Sequence, residues 1–320
     1  MTFSFSVLTP TGLKHFGVEP GTSLFFVGAN GGGKTRLAVN IESNLGDVAH
    51  RISAHRALSL NPGVPKVSER VALLGLRYGY PGENSGLGHR PVNRWGNKAA
   101  VRLLNDYDFL VQALFAEQSN TSLETHKRAR AGIRTPASVT KFERLVEIWD
   151  RLLPHRKLEI TGDDIVVSVT GSSAPGYPAT EMSDGERAVF YLIGQTLTAA
   201  ANSLIIFDEP ELHVHRSILA HLWDELEAAR ADCGMVIISH DLDFVASRKG
   251  EKIVLQQYTP AEGWTIEIVP EDSGFTEDLT TLILGSRKPV LFVEGAANSL
   301  DKAIYRACYP RWTIVPRGFM

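Results

Sequence analysis

The residues whose types and spacing could do chemistry fall into four clusters. The first, Gly28-Ala29-Asn30-Gly31-Gly32-Gly33-Lys34-Thr35, satisfies G-x-x-x-x-G-K-[ST] in full. Glycines let the backbone curl until successive N–H groups converge on phosphate oxygens, and a helix beginning there adds the positive end of its dipole. Gly28, Asn30, Gly31 and Gly33 would form such a cradle, with Arg36 beside it. Lys34 would reach the β- and γ-phosphates of a nucleotide, and Thr35 would ligate Mg²⁺ through its hydroxyl. The second cluster, Leu204-Ile205-Ile206-Phe207-Asp208-Glu209-Pro210, is an apolar strand ending in two carboxylates. Asp208 suits Mg²⁺, held through water. Side chains alternate along a strand, so Glu209 points elsewhere and could deprotonate an attacking water.

The third cluster is Met182-Ser183-Asp184-Gly185-Glu186-Arg187. Ser183 is a good N-cap and Glu186, three positions on, completes a capping box. Taken alone it describes a well-capped helix and nothing more. The fourth is the strand Met235 to Ser239, which ends in Ser239-His240. A lone histidine at a strand end is more often structural than catalytic.

Several elements must position these groups. Phe3, Phe5 and Val7 alternate with polar residues, and Ser23 to Val27 is a short apolar run before the glycines, so residues 1–27 read as strands. Lys34 to Leu45 reads as a helix. Residues 46–100 are broken by Pro62, Pro65, Pro81, Pro91 and many glycines and give no clear pattern. Helices are expected over 100–128 and 138–153, the second with Phe142, Leu145, Ile148, Trp149 and Leu152 on one face. Strands are expected at Lys157 to Ile160 and Ile165 to Val169. From 181 onward helix and strand alternate, which predicts a parallel sheet. The fold class is therefore α/β, a phosphate-loop core with a helical or irregular insertion at about 50–156.

Composition narrows the class further. The chain has 320 residues, 43% hydrophobic and 22% charged, with a formal net charge of −3. That is ordinary for a globular protein, and it gives no global support for duplex binding. The apolar runs are too short for a membrane span, which needs ~20 residues. The two cysteines form no CxxC pair, so a zinc or disulfide framework is not expected. No secretory signal is visible, and cytoplasmic residence is the default. The basic run 126–134 reads as a solvated helix end, and nucleic acid stays open as a partner.

In order along the chain, the four clusters resemble those of ABC-type ATPase heads. The nearest resemblance is to the SMC, RecF and OLD-like (overcoming lysogenization defect) branch, through Gly28 to Thr35 and Asp208-Glu209-Pro210-Glu211-Leu212-His213-Val214-His215. The resemblance covers 1–50 and 180–250 well and the middle loosely. It implies that the core sheet is mixed, that ATP and Mg²⁺ are cofactors and that heads pair as a homodimer or higher oligomer. Each nucleotide would lie between the Lys34 loop of one copy and Ser183, Gly185 and Glu186 of another, with His240 sensing the γ-phosphate. Asp184 stands where many transporters of this class have glycine. The glutamine that usually completes the Mg²⁺ shell has no clear counterpart. Gln112 and Gln118 lie on an expected helix, and His55 or Arg56 is the alternative.

The tail supplies a second resemblance. Pro289 to Gly295, with Glu294 at the strand end, followed by a helix from about Asn298, looks like the first strand and helix of a TOPRIM domain. There Glu294 would serve as a metal ligand or as an acid/base. No later Asp-x-Asp pair follows it, so complete nuclease activity in this chain is not expected. The division is 1–285 for the ATPase and 286–320 for the incomplete TOPRIM-like segment. The resulting expectation is an ATP-hydrolysing head that regulates a nuclease or nucleic-acid transaction, in anti-phage defence. An ATP-clamped scaffold or sensor that sequesters an effector, a transporter ATPase subunit and a small-molecule kinase are the competing readings.

Overall fold

The computed structural model describes residues 1–133, 136–162, 164–270, 275, 290–294, 300–310 and 312–317. The hairpin β1 (Phe3–Thr9) and β2 (Gly12–Val18) opens the chain. β3 (Ser23–Gly28), α1 (Lys34–Leu45) and β4 (Ala49–Ile52) follow. Next come α2 (Glu69–Tyr78), α3 (Arg90–Asn93), α4 (Tyr107–Arg130) and α5 (Lys141–Leu152). A small antiparallel sheet holds β5 (Arg156–Ile160), β6 (Ile165–Val169) and β7 (Tyr177–Pro178). The core then continues through α6 (Asp184–Thr198), β8 (Leu204–Asp208), α7 (Arg216–Ala229), β9 (Gly234–Ser239) and α8 (Leu242–Ala246). The hairpin β10 (Lys252–Thr259) and β11 (Gly263–Val269) completes it.

The central sheet has the order β11-β10-β3-β9-β8-β4. All its neighbours pair in parallel except β10 and β11, so the sheet is mixed, as expected. The phosphate-loop strand β3 and the acidic strand β8 flank β9, and their carboxyl ends open on one edge. In open α/β sheets that edge is where ligands bind.

Period-2 alternation splits the sheet's side chains between two cores. On one face Leu24, Phe26, Leu204, Ile206, Val236 and Ile238 pack with α1 and the β1–β2 hairpin. On the other Phe25, Val27, Ile205, Phe207, Met235 and Ile237 pack with α4 to α7. Residues 188–198 of α6 are buried all round, which is why that stretch is apolar without a polar stripe.

Two expectations change. The segment 46–100 contains β4, an edge strand of the core sheet that pairs with β8. His50 and Arg51 are buried in it, so it shows neither alternation nor an apolar run. The helix expected from 100 begins at Tyr107, because Asp106 is drawn inward. Arg94 Nη2 lies 3.2 Å from its Oδ2, Tyr191 donates to Oδ1 at 2.7 Å and Gln195 Nε2 to Oδ2 at 3.2 Å.

In the tail, β12 (Val290–Glu294), α9 (Leu300–Cys308) and β13 (Thr313–Arg317) form a β-α-β unit with parallel strands. Glu294 is exposed at the end of β12. The boundary expected at 285/286, Gly295 and the helix start at Asn298 lie outside the described residues.

Candidate nucleotide site

The loop after β3 needs its glycines for two different reasons. A Cβ on Gly28 would come within 2.6 Å of the Leu255 carbonyl of β10, so packing excludes one. Gly31 and Gly33 have φ of +87° and +81°, where side chains are strained. Gly33 is further pinned by Trp264, whose Nε1–H donates to its carbonyl at 3.2 Å.

Lys34 is buried, and its ammonium folds back over the loop. It donates to the carbonyls of Gly28 and Ala29 at 3.0 and 3.1 Å and to Asn30 Oδ1 at 3.3 Å. Its Nζ also lies 3.2 Å from Glu209 Oε1. Thr35 donates its hydroxyl to Asp208 Oδ1 at 3.3 Å. The two motifs, distant in sequence, thus meet as expected. Asp208 is fully buried, and burial pushes its carboxyl up to about 6. The nearby Arg51 guanidinium opposes the rise and Glu209 adds to it. Its Oδ2 is buried without a hydrogen-bond partner.

These hard oxygen donors fit Mg²⁺, which is bound by one or two protein groups and completed by phosphate and water. The orphaned Oδ2 is an acceptor awaiting such a partner. Among the described residues no cluster of three or more His, Cys, Asp or Glu could hold a metal by itself.

Glu209 is the first residue past β8. Its orientation comes from a left-handed turn, φ +48°, rather than from strand alternation. It faces both Lys34 and His240, whose Nδ1 is 4.0 Å away. The loop after β4 reaches the same place. The Ala54 N–H lies beside the Asp208 carboxylate and opposes the rise in its proton affinity. Arg56 is buried and donates to the carbonyls of Ser53 and Leu212 at 2.9 and 3.1 Å, while His55 is exposed.

Ser183 and Glu186 form the expected capping box, with each side chain bonding the other's backbone N–H. Glu186 also bonds Tyr177 at 2.8 Å and Arg156 at 3.1 Å, so both its oxygens are engaged. No described hydrogen bond or ion pair ties Ser183 or Gly185 to the phosphate loop. Their helix packs on α4, α5 and α7. Gly185 lies nearest the turn after β8, where an added Cβ would meet the His213 carbonyl at 3.4 Å. Gln112 and Gln118 lie on α4. Glu294 sits in the tail unit.

Sequence reasoning missed three contributors. Glu211, in the turn after β8, bonds Ser239 and His240. Tyr258 and Trp264 pack together at 4.6 Å, with Arg36 over the Tyr258 ring. A groove of about 610 Å³ opens there, lined by Arg36, Asn40, Asn97, Lys98, Tyr258 and Trp264. The run Glu209 to His215 carried a signal for Glu211, since a third carboxylate so close to the strand end is unusual. The aromatic pair gave none.

The strand order, the complete phosphate loop and the acidic strand end define the class: an α/β fold of the P-loop type. Residues 89–246 match the family described as "AAA domain, putative AbiEii toxin, Type IV TA system". The chain is 29% identical over 144 residues to the zinc import ATP-binding protein ZnuC of Pseudomonas savastanoi pv. phaseolicola (strain 1448A / Race 6). That match spans 44% of this chain and half the length of the relative. Among solved structures, an Smc head bound to the C-winged helix domain of ScpA is 12% identical, covers 86% of this chain and 99% of its own, and has a TM-score of 0.46. A nucleotide-free ATP-binding cassette from an ABC transporter is 14% identical, covers 90% and 96%, and has a TM-score of 0.39. No helix among the described residues is long and apolar enough to cross a membrane.

Proposed function

We propose that this chain binds Mg²⁺·ATP and hydrolyses it to ADP and phosphate as an ABC-type head that pairs with a second copy. The supporting observation is the meeting of Lys34, Thr35, Asp208, Glu209 and His240 at one strand edge. Lys34 and the loop N–H groups would bind the β- and γ-phosphates and replace the internal partners Lys34 now has. Thr35 and Asp208 would hold Mg²⁺, which supplies charge neutralisation on the phosphates when bound. Lys34, drawn onto phosphate, would leave Glu209 free to take a proton from the attacking water. His240 would contact the terminal phosphate. The groove beside Tyr258 and Arg36 would take base and ribose. Ser183, exposed, and Gly185, half-buried, at the start of α6 would meet the nucleotide of the partner copy through a helix N-terminus.

Replacing Glu209 by glutamine tests this. ATP binding should persist while steady-state turnover falls by about 10²–10⁴, the scale of a lost general base. Retained hydrolysis would refute the role of Glu209.

The further reading is an OLD-like head in which ATP gates a nuclease or another effector in anti-phage defence. The family match over 89–246 and the Asp208 to His215 string support it, as does a tail β-α-β unit with Glu294 at a strand end, in the manner of an incomplete TOPRIM segment. Similarity to ZnuC favours a second reading, a transporter ATPase subunit. Affinity purification decides between them: a nuclease or toxin partner supports the first, a membrane permease the second.

A further inference from the structure

Glu211 stands in the turn that follows β8, a turn bent through left-handed conformations at Glu209 and His213. That turn is held by Leu212 N–H on the Glu209 carbonyl at 3.2 Å and by Arg56 on the Leu212 carbonyl at 3.1 Å. The Glu211 side chain is 7% exposed, yet it reaches across to the end of β9. There its Oε1 accepts from the Ser239 hydroxyl at 2.6 Å and the His240 backbone N–H at 2.9 Å. The same oxygen lies 2.9 Å from His240 Nδ1. So two donors from consecutive residues converge on one carboxylate oxygen, and the buried ring nitrogen lies within ion-pair distance of it. A buried carboxylate is costly unless it is paired, and here the pairing is to the residue that faces the nucleotide.

We infer that Glu211 is the positioning residue for His240, turning Nδ1 inward and leaving Nε2 as the ring nitrogen that meets the terminal phosphate. This rests on the reading of the site as an ATPase. The partner of one ring nitrogen decides what the other can do. A carboxylate 2.9 Å from Nδ1 favours a proton on that nitrogen, so Nε2 carries one only in the imidazolium and donation to a phosphate oxygen requires a doubly protonated ring. The charged groups around His240 are Glu211, Glu209 and Lys34. Glu211 raises the affinity of the ring for its proton most, burial opposes it, Glu209 adds to it and Lys34 detracts. Glu211 itself is held below the usual carboxylate range. Burial pushes it up, and the hydrogen bonds from His240 and Ser239 more than offset that.

The test pairs a direct titration with kinetics on the full chain. ¹⁵N-histidine NMR, assigned with His240→Asn, follows the ring in the wild type and in Glu211→Gln, which keeps the acceptor for Ser239 but removes the charge. The His240 midpoint should fall by about one pH unit in Glu211→Gln, as expected for loss of an adjacent opposite charge. The descending limb of kcat should move acidward by the same amount, so that Glu211→Gln is about tenfold slower at pH 8 and near wild type at pH 6. KM for ATP should change less than kcat, and Glu211→Asp should recover part of the shift. An unchanged His240 midpoint, or a rate loss equal at every pH, would overturn the inference. A wild type that hydrolyses no ATP would defeat the ATPase reading alone, since the NMR midpoint still decides what Glu211 does to His240.

Discussion

The buried Asp208 gives a prediction that can be worked numerically. Its carboxyl is raised from 3.8 to about 6 by burial, after allowing for the nearby Arg51. A carboxylate whose native affinity for protons exceeds its unfolded one destabilises the fold as pH rises between the two values. The native state binds the proton there and the unfolded state does not, so stability falls with pH across roughly 4–6. The penalty is absent below about pH 4 and complete by pH 7. At 1.36 kcal/mol per unit it amounts to ~3 kcal/mol. Asp208→Asn removes the charge while keeping an oxygen for Thr35, and it places its amide where Oδ2 already lacks a partner. In EDTA and without nucleotide, the variant should therefore be more stable than the wild type at pH 7. Taking about 2 cal/mol/K of unfolding entropy per residue over 320 residues, ~3 kcal/mol is roughly 4–5 °C in Tm. His50, held neutral by burial and by Arg94 with its midpoint down at about 3, also titrates on acidification. It is common to both proteins and cancels in the difference. Differential scanning calorimetry at pH 4.5 and 7.5 checks this. Equal melting temperatures at pH 7.5, or a gain of the same size at both pH values, would refute the claim that a buried charge is responsible. The same variant should lose Mg²⁺-dependent ATP turnover, a trade of stability for function.

Lys34→Ala should abolish ATP binding to within the detection limit of calorimetry, with unchanged circular dichroism. Tyr258→Ala should weaken ATP about tenfold and inorganic triphosphate hardly at all if the groove beside Arg36 takes the base; equal losses for both ligands would argue against that placement. Asp106→Ala strands the buried Arg94 guanidinium and should cost about 3–5 kcal/mol in urea denaturation. Mixing Lys34→Ala with Ser183→Arg should restore part of the ATPase activity that each lacks alone, because one composite site in the mixed pair stays intact.

Local features were readable from sequence. The phosphate loop, the capping box at Ser183 and the acidic end of β8 each depend on a few consecutive residues, and α1 and β6 occupy the expected spans. What escaped depends on partners far along the chain. Asp106 draws its three ligands from positions 94, 191 and 195, which displaces the start of α4. β4 is short and buries His50 and Arg51, whose polarity hid it. His50 pairs with Gln195 at 2.8 Å and the Arg51 Nε with Glu42 at 2.9 Å, and no local pattern announces either pairing. Trp264 comes to Gly33 only because β10 lies beside β3, a neighbour relation that sequence order conceals.

The division of the sheet's side chains between two cores makes the sheet a partition wall. Neighbouring residues of one strand serve different compartments: Ile206 backs the helix that carries Lys34, and Phe207 backs the helices behind Ser183. Trimming Ile206 or Val236 should loosen the grip on phosphate from below, while trimming Phe207 or Ile237 should soften the surface a second copy would meet. On the proposed reading, phosphate binding and partner contact would be tuned by single substitutions one residue apart.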